Sequence, residues 1–183
     1  MILSTFHADD ATPADTPAVE HLLIGTGHLG DAAAALAPAL AQIPVPLRFE
    51  ALSQWLNALE FAATDPRGAW SVDRFDEKIA ENKRDFETRF AKSRVLMAHG
   101  DWTGAMDELL EIIMRDKLWN DAAPRKTVVA ILELLTPPRP KAGDATPGKT
   151  AGGIELAGKA TVQEGPQAAL VSTYRRKLSM MLN

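Results

Sequence analysis

Composition, helical spacing and helix-breaking punctuation together predict an all-α protein of short antiparallel hairpins. Apolar residues make up 46% of the 183-residue chain and aromatics only 6%, with alanine and leucine abundant and a single tyrosine. That balance suits helices better than a β-sandwich. Apolar side chains recur three and four apart through most of the chain, and Gly or Pro stands where the rhythm stops.

The net charge of −4 and sequence pI near 5.6 give no overall basic field to gather nucleic acid or an anionic membrane. Cysteine is absent, which excludes disulfides, thiol nucleophiles and thiolate zinc sites. No Lys or Arg precedes the short apolar start, and Asp9 and Asp10 come soon after it, so no secretory signal is expected. No apolar run approaches the roughly 18 residues of a membrane span. The expected location is the cytoplasm.

Residues 1–18, rich in Ala, Asp, Thr and Pro, read as a flexible leader, with a helical domain over 19–136. Gly27, Leu29, Ala32, Leu36, Ala39 and Pro44 mark a first, degenerate hairpin, with Gly27 ending one helix and Pro44 the next. Residues 49–63 form a helix on the spacing of Leu52, Leu56, Leu59 and Ala63. A turn comes next at 64–68, where Pro66 fixes φ and Gly68 tolerates positive φ. Ser71 then caps a helix on which Val72, Phe75 and Ile79 lie three and four apart, with a charged, solvated face from Asp73 to Arg84.

Residues 86–99 and 102–115 form the main hairpin around Gly100 and Asp101, with Ala105, Leu109, Ile112 and Ile113 turned inward. Asn120 or Asp121 caps the next helix, Pro124 sits in its first turn, and Thr136-Pro137-Pro138 ends it. The Gly-, Pro- and Lys-rich stretch 137–166 reads as a flexible insertion. The last helix, 167–183, carries Leu170, Val171, Tyr174, Leu178 and Leu182 on one stripe and docks on the domain or on a partner.

Two helices joined by a tight turn need small side chains where their axes come nearest, and Ser93 and Ala105 supply them. Counted from Phe86, Gly100 falls at the turn, Trp102 at the aromatic position two residues later, and Leu109 and Ile112 at packing positions of a tetratricopeptide repeat. The 27–44 segment repeats the second half of that pattern, out of step with a repeat of roughly 34 residues. The prediction is therefore all-α, with divergent tetratricopeptide-like helical hairpins and a short C-terminal helix.

The strings Ala98-His99-Gly100-Asp101-Trp102, Leu109-Leu110, Arg115-Asp116, Arg125-Lys126, Ile131-Leu132-Glu133-Leu134-Leu135 and Tyr174-Arg175-Arg176-Lys177-Leu178 carry a further resemblance. In their order, the chain resembles the carboxy-terminal repeat region of the bacterial chaperedoxins, which join a thioredoxin-like domain to divergent tetratricopeptide repeats. The resemblance implies a module that holds unfolded clients and passes them to a chaperonin or another heat-shock chaperone. It puts the chaperonin contact on Tyr174, Arg175, Arg176, Leu178 and Leu182. With no cysteine in the chain, any redox role of that family does not carry over. The alternative is a non-chaperone adaptor gripping one defined partner in the repeat groove, with Arg94 and Met97 facing the groove.

Other chemistry finds little support. His7, His21, His28 and His99 are dispersed, without metal-ligand spacing. Gly25, Gly27 and Gly30 match a dinucleotide fingerprint by letter but stand in a helical pattern, without the strand that such a turn requires before it. The string at 143–150 matches a phosphate-binding loop, yet prolines precede it and Gly152-Gly153 break the stretch where its helix should open. Trp55, Trp70, Trp102 and Trp119 read as packing groups rather than a ligand cage. No catalytic, cofactor or metal site is expected, and the chain is not expected to be an enzyme.

Overall fold

The structure is a computed structural model and describes residue 21 and residues 23–136 and 165–182. The expected leader, most of the expected insertion and the phosphate-loop string lie outside the described residues. Within them the elements are α1 (Leu29–Leu40), α2 (Leu47–Thr64), a 3-10 turn (Pro66–Ala69), α3 (Val72–Glu81), α4 (Phe86–Ala98), α5 (Trp102–Arg115), α6 (Trp119–Leu135) and α7 (Pro166–Leu182). No strand occurs among the described residues.

Local chemistry sets the helix ends. Ser71 Oγ accepts from the Arg74 amide at 3.3 Å, the Asp85 carboxylate from the Thr88 amide at 2.9 Å, and the Asp101 carboxylate from the Gly104 amide at 2.9 Å. Each bond satisfies a donor that the first helical turn leaves without a partner. Gly100 ends α4 at φ +77°, a conformation that costs glycine little.

Two boundaries differ from the sequence expectation. Helix α1 stops at Leu40 rather than Pro44, because a residue preceding proline is driven out of the helical region and Pro44 and Pro46 stand close together. At the start of α6, Asn120, Asp121 and Ala122 take φ values of 49°, 54° and 56°. They form a left-handed turn instead of a simple cap, and the right-handed helix begins beyond it, with Pro124 buried. Left-handed backbone costs roughly 1–2 kcal/mol per L-residue, least for Asn and Asp. Ala122, lacking a side-chain hydrogen bond to offset it, bears that strain most plainly.

Four helices close into a ring. Helix α2 packs on both α4 and α6, and α5 packs on the same two from the other side. Ala58, Phe90, Met97, Leu109, Ile112, Ile113, Val128 and Ile131 fill the interior. Ser93 and Ala105 are fully buried at the α4–α5 crossing, as the close approach demands. In an open repeat array each unit touches only its neighbours; here α2 reaches past the α4–α5 hairpin to α6.

Three helices clad this ring. Helix α1 packs Ala32 and Leu36 on Leu52 and Leu56 of α2. Helix α3 sets Phe75 and Ile79 against Ala91 and Val95 of α4. Helix α7, 17 residues long and so no shorter than α6, adds Val171, Tyr174 and Leu178 to the central core over α5 and α6. The tryptophans pack between elements: Trp55 meets Trp102 edge-on at 5.7 Å, Trp119 lies 5.5 Å from Phe90, and Trp70 lies 5.1 Å from Phe75.

Candidate functional site

Where α2, α4 and α6 meet, the ring leaves a cleft of about 380 Å³. Gln54 and Asn57 come from α2, Phe90, Arg94 and Met97 from α4, and Asn120, Ala123 and Thr127 from α6. The left-handed turn forms part of its lip through Asn120. Thr127 donates its hydroxyl proton to the Ala123 carbonyl at 3.0 Å and lies 3.5 Å from the Gln54 amide.

Among the described residues, Arg94 is the one charged group in the lining. Its guanidinium lies 4.6 Å over the Phe90 ring and 5.0 Å over Phe61, so two aromatic faces support the cation. Burial, with a smaller push from the Arg67 guanidinium, lowers its pKa below the ordinary arginine value, against an opposing pull from the carboxylates of Glu87 and Asp65. No carboxylate forms an ion pair with it among the described residues. Asp65 is committed elsewhere: Arg67 holds its two oxygens at 3.0 Å each, and these hydrogen bonds lower its carboxyl to about 2.

A separate network lies on the far side of α4. Glu108 of α5 accepts from Arg89 at 2.5 Å and from Lys92 at 2.6 Å, and Lys92 reaches Asp76 of α3 at 2.5 Å. Burial lowers the Lys92 pKa, but the two carboxylates raise it by more, so the ammonium stays charged. These groups pair with one another and join α3, α4 and α5, although the buried Arg89 Nε has no hydrogen-bond partner among the described residues.

The expected binding residues fall into three settings. Arg94 and Met97 line the cleft, Met97 as floor, being only 1% exposed. Tyr174 and Leu178 are buried against α5 and α6, and Leu182 packs beside the same core. The Tyr174 hydroxyl donates to Asp107 at 2.9 Å, and burial, then the Asp107 carboxylate, raises its pKa. This face of α7 is packed inside the chain at Tyr174 and Leu178, while Leu182 at its end is partly exposed. Arg175 and Arg176 face outward, with Arg175 donating to Thr136 Oγ1 at 3.1 Å.

Gln54, Asn57, Asn120 and Thr127 form no motif in the sequence. Their signal was faint: Gln54 and Asn57 stand three apart on α2, off the Leu52–Leu56 stripe. Gly25, Gly27 and Gly30 lie at a helix-to-helix turn, where Gly27 takes φ +81°. Among the described residues, no group of three or more His, Asp or Glu is placed to hold a metal ion, and no helix is long and apolar enough to cross a membrane.

Residues 67–145 match the family model for the tetratricopeptide repeat, a span that takes in α3 to α6. This is a tetratricopeptide-repeat region, and repeats of that kind work by presenting surfaces to other proteins. No curated protein and no solved structure matches the chain.

Proposed function

We propose that the chain is a protein-binding adaptor whose α2–α4–α6 cleft takes up one defined segment of a partner. The confined shape of the cleft carries this reading. Three helices wall it, and amides and one cation line it beside Phe90 and Met97. Polar groups at fixed positions select a particular ligand, whereas holding many unfolded chains calls for broad apolar contact.

A second reading, a holdase that passes clients to a folding chaperone, draws on the exposure of Ile43 (97%), Leu118 (79%) and Met180 (70%) and on the resemblance to the chaperedoxins. Transfer would then use the outward Arg175 and Arg176 of α7. Aggregation assays with several unrelated unfolding proteins separate the two. An adaptor suppresses none of them, while a peptide-display selection against the chain converges on one class of segment. Suppression of several clients without convergence favours the holdase.

A further inference from the structure

We infer that the face around the start of α2 is a contact between two copies of this chain related by a two-fold axis. Two adjoining hollows open there beside α6, of about 320 and 170 Å³. Leu47 and Val129 line both, and Leu132 and Leu178 add to the smaller one. Ile43 stands just before them, 97% exposed in the segment between α1 and α2. A hollow of roughly 150 Å³ with aliphatic walls holds one apolar group, so the smaller one suits a single isoleucine side chain. Isolated exposed apolar side chains are ordinary on a monomer. An exposed side chain beside a hollow of its own size is a different matter, because a two-fold axis sets the Ile43 of each copy into the hollow of the other. Four residues separate Ile43 from Leu47, at most roughly 14 Å of chain, so knob and hollow share one patch, as such a contact demands. Pro44 and Pro46 fix φ on either side of Val45, so little freedom is lost when the segment is clamped.

Charge favours a second copy over a foreign partner. Glu50 and Glu133 border the hollows together with Arg125 and Arg175. Among the described residues none of these four forms an ion pair, whereas Lys126 is already held by Asp121 at 2.6 Å. Equal numbers of acids and cations give the patch no net sign with which to draw an oppositely charged protein. They let it complement itself, since each copy offers what the other lacks. Under two-fold symmetry Glu50 of one copy faces Arg125 of the other, and the reverse pair forms as well. Pairs this exposed set register more than affinity. A patch of so few residues falls short of the roughly 800 Å² per partner of a standard interface, so the dimer is weak, with a dissociation constant of about 10–100 µM. None of these residues lines the α2–α4–α6 cleft, and the inference stands apart from the partner site.

Sedimentation of the full chain across a dilution series from about 1 mM to about 1 µM tests the contact. The mean mass should rise with concentration from 19.8 kDa toward twice that value. Ile43→Asp should weaken association at least about tenfold, because a carboxylate would have to enter an apolar hollow. Glu50→Arg and Arg125→Glu, both at exposed positions, should each self-associate at least about tenfold more weakly, since every symmetric contact then sets like charges against each other. Mixed in equal amounts, the two variants should recover native association, because each reversed residue now meets its opposite. A misfolded variant cannot imitate that rescue, and only a symmetric contact through these residues produces it. A mass fixed at 19.8 kDa throughout the series overturns the inference. So does self-association that Ile43→Asp leaves intact, and so does a mixture of the two charge reversals that stays monomeric.

Discussion

Helices α3 and α7 both clad the outside of the four-helix ring and both bury apolar side chains, but α3 also ties into a buried ion network whereas the ion pair of α7 is exposed. Asp76 of α3 reaches Lys92, which continues to Glu108 and so to α5. Helix α7 instead sinks Val171, Tyr174 and Leu178 into the core, and its polar ties to Asp107, the Tyr174 hydroxyl at 2.9 Å and the Lys177 ammonium at 3.5 Å, lie at an exposed carboxylate.

The largest effect should come from cutting the charged fastening at its centre. Glu108→Ala leaves Arg89 and Lys92 without their shared carboxylate, and the two cations are 11% and 8% exposed at the side chain. Chemical denaturation should show a loss of about 3–5 kcal/mol. A loss below about 1 kcal/mol would mean that solvent already screens the network.

Leu178→Ala should cost about 2–3 kcal/mol, at the low end for a leucine because the site lies at the edge of the core. Hydrogen exchange should then show α7 losing protection while α3 keeps it; joint loss would erase the distinction between the two fastenings. Tyr174→Phe should cost about 1 kcal/mol, since Asp107 is exposed enough for water to replace the hydroxyl. A much larger cost would make α7 a polar attachment after all.

The smallest effect concerns the approach to α3. The folded Asp65 carboxyl lies below the ordinary value, so its contribution is present above the usual carboxylate range and lost as pH falls through about 2. An NMR titration of its side-chain carbon should show a midpoint near 2, moving up in Arg67→Ala.

Legibility tracked sequence distance. Gly100, Asp101 and Trp102 disclose the α4–α5 hairpin because turn, cap and packing residues adjoin. The Val171–Tyr174–Leu178 spacing likewise discloses the apolar stripe of α7, while leaving open whether the domain or a partner covers it. Ring closure stayed hidden because it depends on α2 meeting α6 across an intervening hairpin, which no local period encodes. The cleft is a product of that closure, so no local pattern marks Gln54 and Asn57 as its lining. The left-handed turn was hidden for another reason: Asn120 and Asp121 are equally at home as helix caps.

Closure of α2 on α6 also has a mechanical consequence. An open solenoid behaves as a soft spring, able to stretch or tighten as its groove accepts cargo. In this chain, opening the groove must separate close-packed helix faces, and packed interiors do not deform continuously. On the proposed reading the cleft acts as a rigid gauge: its width is set by the packing of α2 on α6, and a partner segment of the wrong size should be rejected rather than accommodated.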